Sequence, residues 1–198
     1  MNGTLSVFES AIQTEGVKRV VLTSSFAAIS GGSKEGTWTE DDWNTTSSLE
    51  SGSYPYSKTM AERAAWEFMK NRDTSFDLIV INPTGVIGPS IVSRINQTHE
   101  FFSNMTKGEY PGIIGFEFPF VDVRDVARAH ILAMETPRAA GRYITSAGTA
   151  SFRHMVDSPT RLDMARNTSF RACHWTPRLE TCCYVWQQTS NPREPETS

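Results

Sequence analysis

Residues 54–83, YPYSKTMAERAAWEFMKNRDTSFDLIVINP, decide the fold. Over residues 54–71 the apolar side chains fall at Met60, Ala61, Ala64, Ala65, Phe68 and Met69, the spacing of one helical face. Alanine is abundant, which favours helix. Ser53 is expected to cap this helix. Pro55 is tolerated in its first turn, where backbone N–H groups lack intrahelical partners. Leu78–Ile81 then forms a short, continuous, β-branched-rich run that ends at Pro83. That pattern predicts a strand buried on both faces, as in a parallel sheet.

The same alternation extends to either side. Leu5, Phe8, Ala11 and Ile12 predict a helix over residues 4–15, stopped by Gly16. Val20, Val21 and Leu22 predict a second buried strand. Gly31-Gly32 and the polar stretch to Ser53 predict a loop, with WTEDDWN (38–44) inside it. Residues 121–135, VDVRDVARAHILAME, predict another helix, and GRYITSA (141–147) another strand. Strands alternating with helices imply an α/β fold with a parallel sheet. From Ser158 to Ser198 there is no lysine and no sustained periodicity, which predicts a disordered or irregular tail. The expected organisation is one domain over residues 1–157 and a divergent tail over 158–198.

With 198 residues the chain can bury a sizeable core. A net charge of −3 and a pI near 5.8 argue against nucleic-acid or anionic-membrane partners. No apolar run approaches the roughly 18 residues of a membrane span. The N-terminal stretch lacks the basic and apolar regions of a secretory signal. The five Asn-x-Ser/Thr sequons, at Asn2, Asn44, Asn96, Asn104 and Asn167, are therefore read as chance, and a reducing cytoplasm is the expected compartment. Cys173-His174 with Cys182-Cys183 fits no common zinc spacing, so no metal is expected.

The chemistry centres on YPYSK (54–58). Tyr54 lies four residues before Lys58, which puts both side chains on one helical face, one turn apart. Tyr56 is two residues from Lys58 and points elsewhere. An ammonium beside a phenol favours release of its proton. Such a tyrosine can give a proton to an alkoxide or take one from an alcohol. The strand over Val20–Leu22 leads into Thr23-Ser24-Ser25, and the next into Asn82-Pro83-Thr84-Gly85. In a parallel sheet both would lie at the carboxyl edge, where ligands bind. A hydroxyl there, from Ser25, can hydrogen-bond a carbonyl oxygen and stabilise its developing charge. Its alternative role is to cap or turn the chain.

Seven ordered segments carry a resemblance to a known family: NGTLSV, VKRVVLTSSFAAI, WTEDDWN, YPYSKTMAERAAWEFM, FDLIVINPTGVIGP, FVDVRDVARAHILAME and GRYITSAG. They resemble the extended branch of the short-chain dehydrogenase/reductase superfamily, in the dihydroflavonol reductase, cinnamoyl-CoA reductase and fungal aldehyde/ketone reductase group. The resemblance implies Ser25, Tyr54 and Lys58 as the catalytic set. It implies Ser24, Tyr54, Lys58, Pro83, Thr84, Gly85 and Val86 as NADP or NAD contacts, and Phe26 as a substrate contact. His130 falls at a usual family position and is read as structural, while Asp122 and Asp125 are read as helix-start residues. The implied function is NAD(P)H-dependent reduction of a small ketone or aldehyde, or oxidation of the alcohol, with oligomeric state left open. The family's opening Gly-x-x-Gly-x-x-Gly turn, which cradles the cofactor pyrophosphate, is not among these residues. The expected architecture is therefore a partial Rossmann-like sheet with flanking helices, lacking the N-terminal dinucleotide-binding βαβ units, in a truncated form whose activity is left open. Two alternatives stay open: a non-catalytic remnant that binds a partner, and a nucleotide-sugar epimerase or dehydratase.

Overall fold

The computed structural model describes residues 2–90 and 117–151, with residues 100, 103, 104, 107 and 109 between them. Three helices position the site: α1 (Asn2–Gln13), α2 (Ser53–Asn71) and α3 (Val123–Glu135). Among the described residues the strands are β1 (Arg19–Thr23), β2 (Asp77–Pro83), β3 (Gly85–Ile87), β4 (Glu117–Asp122), β5 (Gly141–Thr145) and β6 (Gly148–Ser151). The main sheet runs β1-β2-β5, all parallel, with Val21 opposite Ile79 and Ile81 opposite Tyr143. The second sheet runs β3-β4-β6. There β3 and β4 are parallel, and β4 and β6 antiparallel.

The central strand explains the apolar run that marked it. In β2 every residue from Leu78 to Pro83 is buried, because helices cover both faces of the sheet. Leu78 and Val80 face α1 and α2, where they meet Phe8, Ala65, Phe68 and Phe76. Phe8 packs edge-on against Phe68 and Phe76, at centroid distances of 5.4 and 6.0 Å. Ile79 and Ile81 face the other way, onto Ala133 and Ala139 near the end of α3. Each such side chain contributes about 1.5–3 kcal/mol by leaving water. The result is three layers: α1 and α2, the parallel sheet, then α3.

Four local boundaries differ from expectation in their details. The first helix begins at Asn2 and ends at Gln13, rather than spanning 4–15. Ser53 does not cap α2 but is its first residue. The cap position belongs to Gly52, whose φ of 86° suits a residue without a Cβ, and no side chain bonds there. The strand over Leu78–Ile81 is longer than expected, β2 running from Asp77 to Pro83, where it ends opposite Thr145 as the proline implies. Residues 121 and 122 belong to β4 rather than to the helix. Asp122 is the N-cap of α3, accepting a hydrogen bond from the Arg124 N–H. The helix-start role expected of Asp122 therefore holds, and Asp125 lies in the first turn as expected.

One side chain joins the start of β1 to the far layer. Arg19 pairs with Asp77 through Nε and Nη2, at 2.7 and 2.6 Å. Its Nη1 donates to the carbonyls of Ala133 and Thr136, at 2.8 and 2.6 Å. Arg19 thus caps the C-terminal end of α3, where helical carbonyls lack partners. This pairing holds the Asp77 carboxyl below its ordinary pKa. A hydrogen bond from Lys34 does the same to Asp42, and one from Arg124 to Asp122. Folded-state values below the unfolded value stabilise the protein above the unfolded value, and that stability is lost as pH falls through the folded one. Stability is therefore expected to hold from neutral pH down to about 5 and to fall once pH drops below about 4, near the ordinary aspartate value. Denaturant midpoints across pH check this, and Asp77→Asn should flatten the acid limb.

No helix of the described residues is long and apolar enough to cross a membrane.

Candidate active site

All strands of the main sheet point the same way, so β1, β2 and β5 end on one edge. β1 leads there into Ser24, whose N–H extends the pairing to the Ile81 carbonyl at 2.8 Å. Ser25 then turns the chain into a short 3-10 segment, Phe26–Ala28, which packs against α2. α2 follows β1 and precedes β2. Because β1 and β2 are parallel neighbours, α2 runs back across the sheet, and its first turns lie at the carboxyl edge. Ser25 and the YPYSK turns thus share one lip of the molecule.

The side chains on this lip divide into spent and unspent groups. Ser25 Oγ accepts the Ala27 N–H at 3.2 Å, so the capping role is real. That bond uses an acceptor lone pair and leaves the Ser25 O–H free to donate. Tyr54 is 54% exposed, and the Lys58 ammonium lies 6.0 Å from its ring centroid. The one-turn spacing therefore does bring phenol and ammonium together. Among the described residues neither the Tyr54 hydroxyl nor Lys58 Nζ is held by another side chain. Phe26 is half-buried at the start of the turn.

The loop after β2 is held by β5. Thr84 donates to the Thr145 carbonyl through both N–H and Oγ1, each at 3.1 Å. Gly85 and Val86 open β3. A Cβ on Gly85 would sit 2.8 Å from carbons of both Phe118 and Phe120, so this glycine is required by packing against the neighbouring strand β4 of the second sheet. Asn82 Oδ1 and Thr145 Oγ1 are buried without a hydrogen-bond partner among the described residues. The edge thus carries polar capacity that the described fold leaves unsatisfied, which fits a polar ligand.

Ser24, implied as a cofactor contact, has its side chain engaged inside the protein. It is buried, and its hydroxyl turns inward to donate to Glu62 Oε2 at 2.5 Å. His130 is structural in form. Its Nδ1 lies 2.8 Å from the Val126 carbonyl, which can only accept, so Nδ1 carries the proton. Its Nε2 then accepts from the Thr23 hydroxyl at 2.7 Å.

Sequence reasoning missed Glu62 and Arg142. They form a buried ion pair, Arg142 Nε to Glu62 Oε1 at 2.6 Å, with side chains 8% and 0% exposed. The available signal was a carboxylate flanked by Ala61 and Ala65 on the apolar stripe of α2. Asn44 is also buried. Its amide donates to the carbonyls of Ala27 and Ser30 and accepts from the N–H groups of Thr46 and Ser47. A glycan has no room at that sequon in the folded chain. Among the described residues no group of three metal-ligating side chains occurs. The Cys173, His174, Cys182 and Cys183 cluster and the tail 158–198 lie outside the described residues.

A parallel sheet covered on both faces, with hydroxyl, phenol and ammonium on its carboxyl edge, defines a Rossmann-like α/β protein. The chain belongs to the NAD dependent epimerase/dehydratase family, whose pattern matches residues 1–145. Cinnamoyl-CoA reductase CAD2 of Medicago truncatula is 37% identical, over 79% of this chain and 49% of that protein. Gre2 from Candida albicans superposes with a TM-score of 0.68 at 36% identity, covering 79% of this chain and 52% of that one. Yeast methylglyoxal/isovaleraldehyde reductase Gre2, solved with NADPH, gives a TM-score of 0.68 at 32% identity, over 77% of this chain and 50% of that one. The chain spans about half the length of the curated relatives it matches.

Proposed function

We propose that the site serves NAD(P)H-dependent oxidoreduction between a carbonyl and its alcohol, as a ketone or aldehyde reductase. One observation carries this reading. Ser25 keeps an unspent O–H on the same edge that exposes the Tyr54–Lys58 pair. The names of the similar reductases support a small carbonyl substrate, and the NADPH named with the yeast structure supports a nicotinamide cofactor. When bound, the nicotinamide supplies a hydride to the carbonyl carbon. The chain's own residues do the rest. Ser25 donates to the carbonyl oxygen and holds its developing charge. Tyr54 gives that oxygen its proton, and Lys58 steadies the phenol and reaches the ribose hydroxyls. Pro83, Thr84, Gly85 and Val86 form the wall along the nicotinamide ring, and Phe26 faces the substrate. Residues 1–157 form the reductase unit in this reading, and the cytoplasm, with its nicotinamide pool, is its setting.

NADPH binding tests the cofactor half. The 198 residues include no Gly-x-x-Gly-x-x-Gly turn to cradle the pyrophosphate. A fluorescence titration is therefore expected to give a dissociation constant of about millimolar or weaker, with carbonyl reduction appearing only at millimolar NADPH. A micromolar constant would show that other residues hold the phosphates. No reduction of any small aldehyde or ketone at tens of millimolar NADPH would overturn the reading.

A further inference from the structure

Glu62 lies one helical turn beyond Lys58 and two beyond Tyr54, so the three side chains share one stripe of α2. Tyr54 is the exposed end of that stripe and Glu62 the fully buried end. The carboxylate is bonded on both oxygens. Oε2 accepts from Ser24 Oγ at 2.5 Å and from Asn82 Nδ2 at 2.8 Å, and Oε1 accepts from Arg142 Nε at 2.6 Å. Asn82 Nδ2 also donates to the Ser25 carbonyl at 3.1 Å. One carboxylate therefore grips the residue before Ser25 and the amide that holds Ser25 itself.

The contacts continue in a closed circuit. Arg142 Nη1 donates to the carbonyls of Glu40 and Asp42, at 2.7 and 2.6 Å, and its guanidinium lies 3.9 Å from the Trp43 ring centroid. Asn44, next in the chain, returns the contact to Ala27 and Ser30, immediately beyond Ser25. The segment carrying Ser25 and Phe26 is thus fixed on one side by Glu62 and on the other by the loop that Glu62 anchors through Arg142.

We propose that Glu62 is a positioning residue, setting the place and orientation of Ser25 relative to Tyr54 and Lys58 on its own helix. A buried ion pair adds little stability over apolar side chains of similar size. What this pair supplies is register between a strand end and a helix face. Misplacement of a reacting group by about 1 Å can cost about a hundredfold in rate. The catalytic consequence rests on the reductase reading, whereas the geometric claim is testable without cofactor or substrate.

The experiment is amide hydrogen exchange on the full chain. Glu62→Gln is expected to speed exchange at least about tenfold in residues 24–30 and 40–47, while Val20–Leu22 and Ile79–Ile81 change by less than about twofold. The double variant Glu62→Met with Arg142→Met separates positioning from stability. It is expected to recover the melting temperature lost in Glu62→Gln while residues 24–30 stay fast. Recovery of both together, uniform loss of protection, or unchanged exchange in 24–30 would overturn the proposal. If Glu62→Gln does not fold, Ser24→Ala removes a single donor to the same carboxylate. Local acceleration in residues 25–30 then supports the proposal, and its absence overturns it. A failed reductase assay leaves these exchange results standing, so the two readings fail separately.

Discussion

Tyr54→Phe is expected, on the proposed reductase reading, to lower the turnover number for carbonyl reduction by about a hundred- to ten-thousand-fold, the range expected when a proton donor is lost. The melting temperature should not move. The Tyr54 ring is more than half exposed, and its hydroxyl is held by no described side chain, so the substitution removes a hydroxyl and no packing. Lys58→Met should also reduce turnover, with a larger rise in the apparent KM for NADPH, because the lysine is proposed to reach the ribose as well as the phenol. Tyr56→Phe is the internal control. It shares the segment and the chemistry but not the one-turn spacing to Lys58, and it should keep wild-type rates. Steady-state kinetics at millimolar NADPH, beside a thermal melt of each variant, decide the matter. Turnover within threefold of wild type in Tyr54→Phe would remove the phenol from the mechanism.

Arg19→Ala is expected to cost about 2 kcal/mol, the largest stability loss for any single charged side chain outside the Glu62 cluster among the described residues. The loss does not come mainly from the ion pair. Asp77 is half exposed, with 51% of its side-chain area in solvent, and water screens such pairs. It comes mainly from the Ala133 carbonyl, which loses its donor in a part-buried site, at about 1–3 kcal/mol for a buried group left unpaired, whereas the Thr136 carbonyl keeps the Ala139 N–H. Asp77→Asn, which keeps the arginine and its carbonyl contacts, should cost less than about 1 kcal/mol. Urea denaturation of the two variants measures the difference. Equal losses would place the stabilisation in the ion pair instead. At roughly 2–4 °C per kcal/mol for a chain of this size, Arg19→Ala should melt about 4–8 °C lower.

The parts of the fold visible in the sequence were those with a local cause. β2 announced itself because both of its faces are covered, leaving no room for a polar residue from Leu78 to Ile81. α2 announced itself through alanine and a clean apolar stripe. β4 did not. Its Phe-Pro-Phe core holds a proline, tolerated because Pro119 pairs only with Thr149 of β6, beyond the reach of β3. Its last residues, Val121 and Asp122, merge into the apolar rhythm of α3, so the helix seemed to start two residues early.

Of the site, Tyr54 and Lys58 could be paired from spacing alone, because one turn of helix brings them together. Ser25 could be placed on the same edge because parallel strands share their ends. Glu62 could not be assigned a role, since its partners Ser24, Asn82 and Arg142 lie 38, 20 and 80 residues away in sequence. An apolar helix face that carries one carboxylate shows that something must compensate the charge. It does not show what.

The arginine clasp between β1 and α3 also imposes an order on synthesis. Arg19 and Thr136 are 117 residues apart. At about 5–20 residues per second, the guanidinium leaves the ribosome roughly 6–23 s before the carbonyl that receives it. The aromatic layer on the opposite face closes from residues no later than Val80, well inside that interval. A nascent chain can therefore settle one side of its sheet while the other still waits for its cover, and protease protection of ribosome-stalled chains would read that sequence of events directly.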